Sequence, residues 1–167
     1  MDGSIQVYYG NGRGKTTAAL GLGIRAAGVG KQVIMVQFLK KKHSDTLDFL
    51  KKLEPELQIF RFEKAACGYS DLSPKEKQEQ MLNIKNALGY SRKVLDTGQC
   101  DLLILDEIFG LVDYNIITIE ELMDLIAVKK DSMDLILTGR NLPDEVREIA
   151  DYVYSIQREK EKTPEIL

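Results

Sequence analysis

A glycine-rich segment near the start of the chain has the residue types and spacing of a phosphate-binding loop. An apolar run precedes it and an alanine-rich run follows it, an order that predicts strand, loop and helix. The unpaired N–H groups at the start of a helix bind phosphate. Lys15 can neutralise phosphate charge, and the hydroxyl of Thr16 can bind Mg²⁺. The segment reads Tyr9-Gly10-Asn11-Gly12-Arg13-Gly14-Lys15-Thr16-Thr17.

This loop departs from the usual G-x-x-x-x-G-K-[ST] pattern. Tyr9 holds the position of the first glycine, and Gly10 and Gly12 fall inside the loop. Arg13 places a second cation beside Lys15. The alternative interpretation is a tight strand-to-helix turn that happens to be rich in glycine. The strand, the helix and the Lys-Thr pair together favour phosphate binding.

Two acidic residues follow a second apolar run. Residues 102–105 are Leu-Leu-Ile-Leu, and Asp106 and Glu107 come directly after them. A carboxylate at that position can hold Mg²⁺ directly or through water, or it can cap a turn. Glu107 has three open roles: a general base, a group that orders the metal or a co-substrate, or an exposed loop acid.

Two further polar residues also stand at predicted strand ends. Gln37 interrupts an apolar run near its carboxyl end, and Arg140 follows the run 135–138. Arg140 can contact phosphate or an acidic co-substrate in bidentate fashion, or form a surface salt bridge. Because the carboxyl ends of parallel strands share one edge of a sheet, we expect these residues, the loop and Asp106 to meet in one crevice.

The elements that must position these residues alternate between strands and helices. We predict strands at residues 5–9, 33–38, 57–62, 102–105, 135–138 and 152–156. We predict helices at 15–27, 44–53, 73–96, 118–129 and 141–150, with Ser44, Ser73, Thr118 and Asn141 as caps. This alternation predicts an α/β, three-layer, phosphate-loop NTPase-like (RecA-like) domain with a mostly parallel sheet of about six strands.

Composition limits the classes of function. The 167 residues fit one domain, residues 1–167, that ends in a charged tail at 157–167. A net charge of −3 offers no general attraction to nucleic acid. The apolar runs are too short to span a bilayer and the first residues lack signal-peptide features, so we expect a cytoplasmic protein. Cys67 and Cys100 lack metal-type spacing. His43 adjoins a lysine run, 40–42, that we interpret as a solvated loop, with a phosphate-contacting patch as the alternative.

The loop is very similar to the phosphate loop of ATP:corrinoid adenosyltransferases of the cob(I)alamin (cob(I)yrinic acid a,c-diamide) type. The resemblance extends over nearly the whole chain, in order and in spacing. It continues through Val36-Gln37-Phe38, Leu105-Asp106-Glu107-Ile108, Asp113-Tyr114, Leu137-Thr138-Gly139-Arg140 and Ala150-Asp151-Tyr152-Val153.

The resemblance implies that Co(I) of a reduced corrinoid attacks the 5′ carbon of ATP, so that the deoxyadenosyl group moves to cobalt and triphosphate leaves. Co(I) is itself a strong nucleophile, so the protein mainly has to position two reactants and neutralise the leaving group. The family also implies Mg²⁺, a flavin-type reductase that supplies Co(I), and a homodimer. The pathway would be adenosylcobalamin synthesis or salvage.

On this reading each matching residue acquires an expected role. Lys15 and Glu107 are expected to be catalytic, with Asp106 and Thr16 on the metal. The loop at 65–72 would pack against the corrinoid, with Tyr69 in the wall. Residues expected to bind ATP or the corrinoid are Gly10, Asn11, Gly12, Arg13, Gly14, Lys15, Thr16, Thr17, Gln37, Tyr69 and Arg140.

The chain departs from the family pattern at two places. Family members carry Phe and Trp in the corrinoid loop, whereas this chain has Cys67-Gly68-Tyr69-Ser70 and no tryptophan. The family's glycine- and aromatic-containing tail is replaced by a different ending. Two other functions therefore stay open: a phosphate-loop ATPase or small-molecule kinase, and a non-catalytic relative that binds ATP or a corrinoid.

Overall fold

The strands of the chain form a single parallel sheet. A computed structural model describes residues 2–40, 46–62 and 67–162. Within these residues the sheet has six strands in the order β3-β2-β4-β5-β1-β6, and every neighbouring pair is parallel. The strands are β1 Ile5–Tyr9, β2 Val33–Gln37, β3 Leu57–Phe60, β4 Leu102–Asp106, β5 Asp134–Gly139 and β6 Tyr152–Ser155.

Helices cover both faces of the sheet, which confirms the predicted α/β architecture. They are α1 Lys15–Gly28, α2 Thr46–Leu50, α3 Pro74–Thr97, α4 Ile108–Asp113, α5 Ile119–Ala127 and α6 Asp144–Ile149. Single 3₁₀ turns follow at Lys51–Leu53 and Tyr69–Asp71. None of the helices in the described part of the chain is long and apolar enough to cross a membrane.

The central strands are apolar on both faces because helices cover both faces. Every residue of β2 and β4 is buried, as expected for strands inside a parallel sheet. One core cluster lies under α3, α4 and α5, and a smaller one lies under α1. Helix α1 approaches closely at Gly23, where an added Cβ would lie 3.1 Å from Ile104 Cδ1. The absence of a side chain at Gly23 therefore lets α1 pack closely on the sheet.

Local signals for helix ends were accurate where side chains make the cap. Ser73 with Glu76 and Thr118 with Glu121 both form complete capping boxes. Gly98 ends α3 in the left-handed conformation, φ 68°, which glycine adopts without strain. The cap predicted at Ser44 lies outside the described residues.

The prediction that Asn141 caps the next helix is wrong. Helix α6 begins at Asp144, with Pro143 in the N-cap position, and the Asn141 amide instead donates a hydrogen bond to Asp113 Oδ2 over 3.1 Å. Strand β3 also stops at Phe60, short of the predicted residue 62. Helix α4 was not predicted, because a six-residue helix that is mostly buried shows no polar face.

The register of the strands brings the predicted site residues to one edge of the sheet. Gln37 pairs with Asp106 at the ends of β2 and β4. Leu105 pairs with Leu137, so Asp106 and Thr138 follow on neighbouring strands. Tyr9, the last residue before the glycine loop, pairs with Gly139. The expected convergence of the loop, Gln37, Asp106 and the end of β5 is confirmed.

Candidate functional site

The glycine loop curves around the ammonium group of its own lysine. Lys15 Nζ donates hydrogen bonds to the carbonyl oxygens of Gly10 and Gly12 over 2.8 and 2.9 Å. Gly14 forms the N-cap of α1 at φ 108°, with no side-chain cap on the helix. The first N–H groups of the helix are therefore left to other acceptors, next to a cation. This is the arrangement of charges that an anionic phosphate chain requires.

The chain after β6 shapes the outer side of the loop. The N–H of Gly12 donates to the carbonyl oxygen of Ile156 over 2.9 Å. An added Cβ on Gly10 would lie 2.2 Å from that same oxygen, and Gly10 has φ 127°. The Arg158 N–H donates to Asn11 Oδ1 over 3.1 Å. The start of the predicted charged tail is therefore packed against the loop, and Asn11 is held by it.

A fully buried carboxylate lies at the mouth of the loop. Asp106 is 0% exposed. Its Oδ1 accepts a hydrogen bond from Thr138 Oγ1 over 2.7 Å, and its Oδ2 accepts one from Gln37 Nε2 over 3.1 Å. Thr16 Oγ1 lies 2.9 Å from Oδ1 and 3.0 Å from Oδ2. The structure thus brings the two predicted metal ligands, Thr16 and Asp106, into direct contact.

The chemistry of this pair fits a magnesium ion that is also bound by a nucleotide. Mg²⁺ prefers hard oxygen ligands and keeps sites for water and substrate phosphates, and Thr16 and Asp106 offer a hydroxyl and a carboxylate. Among the described residues no group of three or more His, Cys, Asp or Glu side chains could form a metal site by itself. A bound metal would therefore complete its shell with phosphate oxygens and water.

Lys40 corrects the interpretation of the lysine run as solvated. Its Nζ lies 3.5 Å from Asp106 Oδ2 and donates to Thr16 Oγ1 over 3.3 Å. The side chain is 28% exposed. Lys40 is therefore part of the site, whereas residues 41–43 lie outside the described residues. The signal for it was position, since Lys40 closely follows the end of β2.

Glu107 is held in an unusual backbone conformation. It has φ 62°, and its N–H donates to Thr138 Oγ1 over 2.9 Å. Burial raises the pKa of its carboxyl above the ordinary value, and the nearby charge of Lys40 acts against that increase. Glu107 is half-buried, so the interpretation as an exposed loop acid is wrong. Non-glycine residues in the left-handed conformation are strained, and such residues cluster at functional sites, where the position of a side chain matters.

Gln37 is in turn held by an arginine that the sequence did not single out. The Arg61 guanidinium donates from Nε to Gln37 Oε1 over 2.6 Å. Burial lowers the pKa of Arg61, and the charge of Asp106 opposes that decrease. The amide of Gln37 is thereby oriented so that its nitrogen faces Asp106. Gln37 lies at the site as predicted, and its contact is with the buried carboxylate.

An open cleft of about 590 Å³ lies beside the carboxylates. Its charged lining comprises two basic and two acidic residues, and two tyrosines supply aromatic lining; the charged residues are Lys40, Arg140, Glu107 and Asp113. The rings of Tyr69 and Tyr114 lie 5.2 Å apart, and Lys77 Nζ lies 5.6 Å from the Tyr69 ring. The polar cluster and an aromatic wall therefore face the same space.

A second cavity of about 380 Å³ borders the glycine loop and includes Tyr9, Asn11 and Arg140 in its lining. Arg140 is exposed and lines both cavities. Arg13 and Thr17 are also exposed on the loop and its helix start. These three residues are available to a ligand. Cys67 and Cys100 are both free thiols.

Comparisons with known proteins find relatives in one enzyme family. A family model for the ATP:corrinoid adenosyltransferases BtuR/CobO/CobP matches residues 1–165. A corrinoid adenosyltransferase of Escherichia coli K12 is 30% identical over 155 residues, which cover 93% of this chain and 76% of the relative. The corrinoid adenosyltransferase CobA of Salmonella typhimurium LT2 has the same identity and the same coverage.

Solved structures support the fold. A KaiC-like protein from Pyrococcus horikoshii superposes with a TM-score of 0.59 at 20% identity, covering 97% of this chain and 75% of that one. The ATP synthase subunit NeqB superposes with a TM-score of 0.62 at 18% identity, covering 92% of this chain and 45% of that one. The phosphate-loop NTPase-like, RecA-like fold predicted from the sequence is confirmed.

Proposed function

The chain belongs to the family of corrinoid adenosyltransferases, and we propose that its adenosyl donor is ATP and its acceptor the Co(I) of a reduced corrinoid. The cobalt lone pair forms a bond to C5′ of ATP. The C5′–O bond breaks, and its electron pair leaves with the triphosphate. Cobalt becomes formally Co(III), and no proton has to be removed from either reactant at the bond-forming atoms.

One observation carries this proposal. The cleft of about 590 Å³ is lined by Lys40, which contacts the Thr16–Asp106 pair, and by the aromatic pair Tyr69 and Tyr114. A transfer between two bound molecules needs such a space, in which a second reactant can approach the nucleotide. The arrangement supports catalysis by positioning, the main contribution that a strong nucleophile requires.

The leaving triphosphate would be bound by the loop. Lys15 already lies inside the loop's curve, and the helix start that follows presents free N–H groups. Fixed donors and cations stabilise charge that develops on a leaving group without reorganising during the reaction. Arg13 and Thr17 extend this anion site at the surface, together with the backbone of Gly10, Asn11, Gly12 and Gly14.

We assign the metal site to Thr16 and Asp106. Mg²⁺ bound there would neutralise phosphate charge and fix the phosphate chain in one orientation. Thr138 and Gln37 donate to Asp106, so the carboxylate is held in place before a ligand binds. Because Thr138 and Gln37 lie at the ends of rigid strands, the orientation of the Asp106 carboxylate is fixed by the sheet.

Glu107 and Arg140 would act on the open side of the site. Glu107 lies next to Asp106 and lines the cleft, so it is placed to contact the ribose and the corrinoid edge. Arg140 lies between the two cavities and would bind phosphate or a corrinoid carboxyl or amide group. Its alternative role as a surface ion pair is not seen in the described part of the chain.

Tyr69 would form the corrinoid wall in place of the family's Phe and Trp. Its ring packs beside the ring of Tyr114 and under Lys77 Nζ. The two tyrosine rings together form a larger aromatic surface than Tyr69 alone would. An apolar surface against the corrinoid favours loss of the lower axial ligand of cobalt. We extend the proposal to a cytoplasmic role in adenosylcobalamin synthesis or salvage, served by a flavin-type reductase, with the chain acting as one domain in a homodimer.

Product analysis tests the proposal against its main alternative. The protein is incubated with ATP, Mg²⁺ and chemically reduced cobalamin, and phosphorus NMR identifies the phosphate product. We expect triphosphate, formed only when reduced corrinoid is present. ADP and orthophosphate without a cobalt–carbon product would instead indicate an ATPase or kinase, and tight ATP binding without any turnover would indicate a non-catalytic relative.

A further inference from the structure

Lys40 lies against the two side chains to which the metal site is assigned. Its ammonium group contacts both proposed metal ligands, Thr16 Oγ1 at 3.3 Å and Asp106 Oδ2 at 3.5 Å. Asp106 is fully buried whereas Lys40 is partly exposed to the cleft. The ammonium group therefore neutralises a carboxylate that water does not reach, and it does so from the open side of the site.

The same two oxygen atoms cannot serve Lys40 and a divalent cation equally well. An ammonium group and Mg²⁺ about 4 Å apart repel each other strongly in a partly buried site. Once a metal ion neutralises Asp106, the carboxylate no longer needs Lys40. The phosphate chain that the metal also binds would then offer oxygen acceptors to the displaced ammonium group, in addition to the nearby carboxyl of Glu107.

The backbone around Lys40 is built to hold it at this edge. Leu39, just before it, has φ 56°, a left-handed conformation that is strained for a leucine. Leu39 Cδ1 packs against Gly110 of α4, where an added Cβ would lie only 2.6 Å away. The strained turn is therefore fixed by packing, and it directs the chain so that Lys40 lines the cleft next to Glu107.

We propose that Lys40 is a triphosphate-binding residue, which exchanges its contacts with Thr16 and Asp106 for phosphate oxygens when the metal and nucleotide bind. This inference deepens the proposed function and rests on it for the identity of the nucleotide. It gives the phosphate chain a cation on the side of the cleft, in addition to Lys15 inside the loop. The leaving group would then be bound from two directions.

Direct binding measurements test the exchange without requiring turnover. The probes are inorganic triphosphate with Mg²⁺, adenosine, and Mn²⁺ alone, whose binding is followed by electron paramagnetic resonance. For Lys40→Met we expect triphosphate affinity to fall by about tenfold or more, with adenosine affinity unchanged. Mn²⁺ affinity should rise by about threefold or more, because no ammonium group competes for Asp106.

The opposite changes expected in triphosphate affinity and Mn²⁺ affinity distinguish phosphate binding by Lys40 from a purely structural role. If Lys40 only held Asp106 in place, its loss would weaken the binding of Mn²⁺ and of triphosphate together, and that result overturns the proposal. Unchanged triphosphate affinity also overturns it. Lys51→Met is the matched control, since Lys51 forms a surface pair with Asp48 at 3.0 Å away from the loop, and it should change neither affinity.

Two more variants keep the test decisive if Lys40→Met folds poorly. Lys40→Gln keeps hydrogen-bond donors without charge and should show the same loss of triphosphate affinity, whereas wild-type affinity in this variant contradicts the proposal. Lys40→Arg keeps the charge and should stay within about threefold of wild type. If triphosphate binding depends on Lys40 but the wild type does not alkylate reduced corrinoid, only the proposed function is contradicted. If the wild type alkylates reduced corrinoid but triphosphate binding does not depend on Lys40, only the role of Lys40 is contradicted.

Discussion

The hydroxyl of Thr138 donates a hydrogen bond to Asp106 over 2.7 Å, and both side chains are completely buried. The same hydroxyl accepts a hydrogen bond from the backbone N–H of Glu107 over 2.9 Å. One threonine on β5 therefore fixes both acidic residues at the end of β4. The two carboxyl groups with the most prominent proposed roles share a single positioning residue.

Thr138→Val should destabilise the protein, because it leaves a buried acceptor and a buried donor without their partner. We expect the free energy of unfolding, measured by urea denaturation, to fall by about 1–3 kcal/mol. Thr97→Val is the control: its exposed hydroxyl only bonds to the Lys93 carbonyl, so the loss should stay within about 0.5 kcal/mol. Equal losses in the two variants would contradict the importance of the Thr138 contacts.

Lys15→Ala should abolish ATP use by removing the cation inside the loop. Calorimetric titration with Mg-ATP should show affinity reduced by about tenfold or more, and the midpoint of thermal unfolding should change little. Lys31→Ala is a suitable comparison, since Lys31 pairs with Asp134 at 3.2 Å away from the loop. Normal ATP affinity in Lys15→Ala would refute the assignment of the loop as the nucleotide site.

Tyr69→Ala should mainly raise the concentration of reduced corrinoid that the reaction requires. Loss of the ring removes an aromatic surface worth about 1 kcal/mol or more, so the KM for reduced corrinoid should rise several-fold while the KM for ATP stays constant. Tyr152→Ala, an exposed tyrosine on the edge strand β6, serves as control and should change neither. Unaltered corrinoid dependence in Tyr69→Ala would show that the described part of this loop, residues 67–72, does not face the corrinoid.

Cys100 should make stability fall in alkaline solution. Burial raises the pKa of its thiol from 9.0 to about 12. The unfolded chain releases this proton at lower pH than the folded chain does. The contribution of the protonated thiol to the free energy of unfolding is therefore complete below pH 9 and is lost as the pH rises towards 12. Between about pH 8 and pH 10 the wild type should lose about 1.4 kcal/mol more free energy of unfolding than Cys100→Ala.

The thiol reagent DTNB gives a second check on Cys100. In the folded protein at about pH 8, Cys67 should react while the buried Cys100 stays protected. Rapid modification of Cys100 in the native state would mean that it is not buried. Identical pH dependence of unfolding in the wild type and Cys100→Ala would lead to the same conclusion.

The sequence was most informative where one residue type has one physical use. The glycine loop with Lys15, the acid that ends a buried strand, and the two capping boxes each have such a use, and each is where it was predicted. The fold followed from the alternation of strands and helices. These signals are local, so no knowledge of distant contacts was needed to interpret them.

The sequence was least informative where distant residues decide the outcome. Lys40 looked like the start of a solvated basic run because its partners, Thr16 and Asp106, lie on other elements. Arg61 acts through Gln37, a contact between the ends of two strands. Asn141 is drawn from its predicted cap position by Asp113, which lies 28 residues earlier in the chain. Such contacts exist only after the sheet has formed.

The most direct measurement of the central claim follows the 5′ carbon of ATP itself. ATP labelled with ¹³C at C5′ is mixed with the protein, Mg²⁺ and chemically reduced cobalamin, and the corrinoid product is examined by carbon NMR and visible spectroscopy. The account predicts a labelled carbon bonded to cobalt, released by light, in equal amount to the triphosphate formed. Label that stays in ATP or ADP while the corrinoid remains unalkylated would contradict it.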